Sequence, residues 1–107
     1  MYVYLIEKTI EFDMWLKKLR DKTARAKILF RLQRVELGNL GDIKPVSHGL
    51  TEMRITHGKG YRIYYKIVEK QVILLLIGGD KSTQEKDIEK AKKIWDNYQK
   101  KSNHEIK

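Results

Sequence analysis

The sequence predicts an α+β fold, with helices laid on a mostly antiparallel sheet, and three observations predict it. Residues 51–66, TEMRITHGKGYRIYYK, alternate between oily and cationic side chains with a period of two, as a half-buried hairpin does. Residues 72–77, VILLLI, are apolar on both sides and belong in the middle of a sheet or beneath a helix. Apolar residues at helical spacing precede these strands and follow them, which supplies the covering layer.

Each element follows from local chemistry. Residues 2–6 are aromatic and β-branched and predict an opening strand. From about Ile10, the residues Phe12, Trp15, Leu16 and Leu19 mark one face of a helix, which places Trp15 in the core. After a break over residues 20–23, Ala24, Ile28, Leu32 and Val35 line a second helix. Gly38 and Asn39 close it, since both tolerate the left-handed conformation of a helix end. The two helices form an antiparallel hairpin against the sheet. The single proline, Pro45, leads into a short edge strand at 46–50, where a missing amide donor is tolerated. Residues 69–71 turn the chain tightly into the 72–77 strand, which Gly78-Gly79 stops. Ser82 and Glu85 have capping-box spacing, and Ile88, Ala91, Trp95 and Tyr98 give the last helix its buried stripe. Residues 102–107 are polar and are expected to fray.

Within the hairpin, Met53, Ile55, Tyr61, Ile63 and Tyr65 share the oily face. Keeping the faces separate across the turn requires paired positions to sum to an even number, so the connection has an odd number of residues. Arg54 then lies opposite Arg62, and Glu52 opposite Tyr64. Like charges in register destabilise a sheet, so the two arginines predict an anion between them. With the helices on one face, the other is left open, carrying Arg54, Arg62, Tyr64 and Lys66. Lys59 in the turn and Lys81 beyond the last strand stand at its rim.

The 107 residues bound the chain to one domain, residues 1–107, with a single core. Lys and Arg outnumber Asp and Glu by 23 to 14, spread along the chain, and that excess predicts a polyanion or an acidic partner. Cysteine is absent, so disulfides and thiolate metal sites are excluded. The histidines and carboxylates lack metal-ligand spacing, and no cofactor motif occurs: the glycines are turn glycines, none followed by the Lys-Ser of a nucleotide loop. The amino terminus lacks the long apolar run of a membrane span and the features of a signal peptide, which points to a cytoplasmic protein with no membrane partner.

Four ordered pieces carry a family resemblance from Phe12 to about Ala91: FDMWLKKLRD, ARAKILFRLQRVELGNLGD, GLTEMRITHGKGYRIYY and LLIGGDKSTQEKDIEKA. Through them the chain resembles the RelE/ParE superfamily of bacterial toxins, in its HigB-like, phage-derived Gp49-like branch of addiction module killers. The resemblance implies a small RelE-like fold with an N-terminal helical hairpin and a C-terminal helix. It implies a toxin that cuts messenger RNA on the ribosome without a metal, silenced by a cognate antitoxin of the helix-turn-helix, HigA-like kind.

Such cleavage needs a base for the 2′-hydroxyl, cations for the dianionic transition state and an acid for the 5′-oxygen. Arg62 matches the family's catalytic arginine, since it follows Gly60-Tyr61. Arg54 and Lys81 match basic positions on the preceding strand and after the last one. Glu52 is open to two readings, as base or as partner of Arg54. His48, His57 and Lys59 are further proton carriers. Tyr64 is either a base-stacking platform or a β-propensity choice. Lys27, Arg31 and Arg34 either grip RNA phosphates or solvate a helix face. The helix tyrosine of several relatives has no counterpart, as Ile88 stands near its place. Two other readings share the fold: a ParE-like gyrase poison and a non-catalytic RNA-binding module.

Overall fold

The computed structural model describes residues 2–106, with side chains described as far as residue 101. The chain runs β1 (Leu5–Lys8), α1 (Ile10–Lys18), α2 (Lys22–Glu36), β2 (Ile43–Pro45), β3 (Thr51–Ile55), β4 (Tyr61–Val68), β5 (Val72–Asp80) and α3 (Gln84–Ile106), with 3-10 turns at Ser47–Gly49 and Lys81–Thr83. The strands form one sheet in the order β1-β5-β4-β3-β2. Every pairing is antiparallel except β1 with β5. The expected fraying of 102–107 falls outside the described side chains, and Lys107 outside the description.

Local capping sets the helices. The Phe12 N–H donates to the Thr9 hydroxyl, which itself donates to the Leu76 carbonyl at 2.7 Å, so the cap of α1 is also its tie to β5. Asp21 caps α2 by accepting from the Ala24 N–H. Arg25, one turn into α2, donates to the carbonyls of Lys17 and Leu19 and satisfies the end of α1. Gly38 closes α2 at a φ of 99°.

Two cores result. On one face of the sheet, Phe12 and Leu16 of α1 and Ala24, Ile28, Leu32 and Val35 of α2 pack on Met53, Ile55, Tyr61, Ile63, Tyr65, Ile73 and Leu75. On the other, Ala91 and Ile94 of α3 pack on Leu50, Tyr64, Leu74, Leu76 and Ile77. The expectation of an open sheet face is therefore corrected. A strand apolar on both sides needs a cover on both, and α3 supplies the second.

Register agrees with the even-sum rule: Arg54 pairs with Arg62 and Glu52 with Tyr64, across a five-residue connection between Ile55 and Tyr61. A bulge at Tyr64/Tyr65 shifts β5, so that Leu76 and Ile77 both reach the α3 core.

Four boundaries differ from the sequence reading. β1 starts at Leu5 because the N–H groups of Val3 and Tyr4 are taken by the Glu36 carbonyl at the end of α2. The edge strand lies at Ile43–Pro45 rather than 46–50, where His48 and Gly49, at φ of 63° and 70°, turn the chain into β3. β5 continues through both glycines to Asp80. A Cβ on Gly78 would overlap the Trp15 ring, and one on Gly79 the Asp87 carboxylate, so these residues let α1 and α3 approach the strand rather than end it. The cap ahead of α3 is Asp80, whose carboxylate accepts from the Ser82 N–H.

Candidate functional site

Polar chemistry concentrates where β3, β4 and the start of α3 meet. Glu52 points from β3 into the second core and is fully buried. Its Oε2 accepts from Gln84 Nε2 at 2.6 Å and from the Tyr64 hydroxyl at 3.2 Å. Its Oε1 faces Arg62 Nε at 3.8 Å, an ion pair too long for a hydrogen bond, and both atoms are otherwise buried without one. Burial, then the neighbouring Glu52 charge, raises the Tyr64 hydroxyl well above the usual tyrosine range.

Arg62 is held at two points. Its Nη1 donates to the Gly60 carbonyl at 2.7 Å while Glu52 anchors its Nε side. The side chain keeps 13% of its surface exposed. A guanidinium suits two oxygens of an oxyanion at once, and here a buried carboxylate restrains it. Lys81 flanks it: its Cβ lies 3.6 Å from the point a Cβ on Gly60 would occupy, and the Arg62 Nη1 lies 3.1 Å from the same point. Lys59, in the turn, acts electrostatically on Asp80, which its bond with the Ser82 hydroxyl, first of all, and Lys59 further down hold below the usual aspartate range. Arg62, Lys59 and Lys81 thus come from three elements to one corner.

The other expected residues go elsewhere. Arg54 pairs with Arg62 along the backbone, yet its Nη2 bonds Asp42 Oδ1 at 2.8 Å, a hydrogen bond that raises its pKa. Each arginine thus has its own carboxylate, and the expected anion between them is not needed to relieve their repulsion. Tyr64 is fully buried under α3 and offers no stacking platform, a correction with the same cause as the covered sheet face. Arg31 donates to the carbonyls of Arg54, Leu40 and Asp42, so it ties α2 to the β2–β3 region instead of gripping RNA; burial lowers its pKa. Lys66 bonds the Gly49 carbonyl at 3.1 Å and sits 5.5 Å over the Trp95 ring. Trp95 lies eleven residues beyond Gln84 on α3, ~16 Å along the helix. His57 turns to Asp21 at 3.4 Å, and His48 is exposed in the 3-10 turn, where it acts on Glu89 of α3. Arg34 is exposed on α2.

Gln84 and Asp87 were not singled out from the sequence. Gln84 sits in the GGDKSTQ run quoted above, but nothing local says that a glutamine at a helix start will reach a glutamate 32 positions away. Asp87 covers Gly79, the residue paired with Arg62, and burial raises its pKa. Among the described residues no group of three or more His, Asp or Glu is arranged to hold a metal, and no helix is long and apolar enough to cross a membrane.

Three comparisons place this geometry. The chain is 52% identical over 87 residues to an uncharacterized protein of Haemophilus influenzae, covering 81% of this chain and 88% of that one. Its fold is similar to that of a mutant E. coli toxin RelE in the free state, with a TM-score of 0.66 at 20% identity, over 88% of this chain and 99% of that one. It is also similar to the M. tuberculosis toxin–antitoxin complex RelBE2, with a TM-score of 0.57 at 22% identity, over 73% of this chain and 98% of that one. These likenesses show the RelE fold. The family model of phage-derived Gp49-like proteins matches residues 14–99, a span that includes Glu52, Arg62, Lys81 and Gln84, and the chain belongs to that family.

Proposed function

We propose that this protein is the toxin of a toxin–antitoxin pair, an endoribonuclease that cuts messenger RNA by attack of a 2′-hydroxyl on the adjacent phosphate. The observation that carries the reading is Arg62, restrained by a buried glutamate and flanked by two exposed lysines. Two oxygens of a phosphate fit one guanidinium edge, and Lys81 adds charge where the transition state becomes dianionic. In this reading Lys59, exposed in the turn, protonates the departing 5′-oxygen. Arg54, committed to Asp42, plays a smaller part.

Glu52 is not the base: its carboxylate is buried and engaged with Tyr64, Gln84 and Arg62. His57 turns to Asp21, and the Asp87 carboxylate over Gly79, the residue paired with Arg62, is engaged by the Thr83 hydroxyl. A site rich in charge and poor in base works best where another surface orients the nucleophile, which supports cutting on the ribosome rather than of free RNA. The two neighbours of similar fold, a toxin and a toxin–antitoxin complex, support an antitoxin partner. The resemblance stated above supports one of helix-turn-helix type.

The test is cleavage of messenger RNA on translating ribosomes, with free RNA in parallel. Arg62→Ala should lower cutting by about 10²- to 10³-fold, the cost of removing one preorganised oxyanion donor. Growth arrest that survives Arg62→Ala would overturn the nuclease. Supercoiling by DNA gyrase would then be assayed, since a gyrase poison of this fold has no use for the Arg62 fork.

A further inference from the structure

The outer side of α2 carries a second surface, on the opposite side of the sheet from Arg62. Phe30 stands 62% exposed in the middle of the helix, although its neighbours Ile28 and Leu32 are buried in the first core. It borders a shallow groove of about 520 Å³ between α2 and the end of β3, lined also by Ala26, Ile55, Thr56, Lys27 and Arg34. Lys27 and Arg34 lie three residues before Phe30 and four after it, so all three share one helix face. Arg31 also lines the groove, but its guanidinium is committed to three backbone carbonyls. An oily centre with a free cation at each end is therefore what the groove presents.

We propose that this groove docks an acidic segment of a partner protein, one carrying a large apolar side chain that lies against Phe30 and carboxylates that meet Lys27 and Arg34. An apolar centre inside a charged rim is the anatomy of a protein interface. RNA would call for a run of free cations, and here Arg31 is withdrawn from it. A second copy of this chain would set Lys27 and Arg34 against their own kind, on a helix that holds five basic residues and one acidic. The inference rests on the toxin reading for the identity of the partner as the antitoxin, and on the groove alone for its chemistry. Its consequence is that the partner grips the helical face and leaves the Arg62 corner uncovered by this contact, so that silencing comes from bulk that bars the ribosome.

The test is titration of the co-encoded antitoxin protein against the unmutated chain, Phe30→Glu, Lys27→Glu/Arg34→Glu and Arg62→Ala, at low and high salt. Phe30 is exposed, so its variant should fold, which circular dichroism checks. Phe30→Glu and the double charge reversal should each weaken binding by at least about 30-fold, as loss of an aromatic anchor does, while Arg62→Ala binds as before. In cells, Phe30→Glu should still arrest growth, and the antitoxin should no longer relieve it. Loss of binding in Arg62→Ala but not in Phe30→Glu would overturn the proposal in favour of a partner that covers the catalytic corner. Phe30→Glu that loses affinity for an RNA oligonucleotide and keeps the protein partner would replace it with an RNA surface. Dimers of the free chain that vanish in Phe30→Glu would replace it with self-association. Absence of any binding by the unmutated chain would overturn both this proposal and the antitoxin, whereas Arg62→Ala that still cuts messenger RNA on ribosomes as the unmutated chain does would sink the nuclease alone.

Discussion

Glu52 shows how one buried carboxylate organises its surroundings. It holds Arg62 from below, accepts from Gln84 and Tyr64, and joins β3, β4 and α3 through a single side chain. The Tyr64 hydroxyl therefore contributes to stability rather than to RNA contact. Tyr64→Phe keeps the ring, and with it any capacity to stack, but removes a donor from a buried carboxylate. We expect a loss of about 1–3 kcal/mol, as for a hydrogen bond to a charged group, or roughly 4–8 °C in Tm for each kcal/mol. Thermal unfolding checks this, and an unchanged Tm would mean that Glu52 finds another donor.

Among elements, β5 is the one on which both layers converge. Its glycines admit α1 on one side through Trp15 and α3 on the other through Asp87. An alanine at either position needs the helix above to back away, which is overpacking of a close contact. Gly78→Ala should cost about 1–3 kcal/mol, read as a lower urea midpoint at unchanged m-value. Gly79→Ala should in addition disturb the corner, since Gly79 pairs with Arg62 and its overlap is with Asp87 at the start of α3.

At the scale of the whole molecule, Asp21 joins parts that are distant in sequence. Its carboxylate caps α2 and lies 3.4 Å from His57 in the β3–β4 connection, so one charge ties the helical layer to the hairpin. The Ala24 N–H, ahead of His57, holds its pKa below the ordinary 3.8. A carboxylate whose folded-state pKa is depressed contributes stability that is fully present above its unfolded value and is lost as pH falls through the folded one. Stability should therefore decline on acidification below the ordinary aspartate range. Asp21→Asn, which keeps a capping oxygen but no charge, should flatten that decline, and urea unfolding between pH 5 and pH 2, a range of about three units that brackets ordinary carboxylate values, measures it.

The sequence by itself determined the periodic elements and the pairing of the hairpin. Alternation over 51–66 fixed which residues face each other, and the apolar spacing of α1 and α2 fixed which sides they bury, because these patterns are local and repeat; on α3 Ala91 is buried as expected, but Tyr98 is exposed and Ile94 is buried. It also singled out Arg62, Lys59 and Lys81, which the fold brings to one corner. Only the tertiary structure decided the partners of the charges. Arg54 and Arg31 were equally exposed candidates until Asp42 and three carbonyls claimed them, and Tyr64 was a surface residue until α3 covered it. A side chain's pattern tells which way it points, whereas its function depends on what the rest of the chain places in front of it. Glu52 and Gln84 meet across 32 positions, a distance over which no local periodicity carries information.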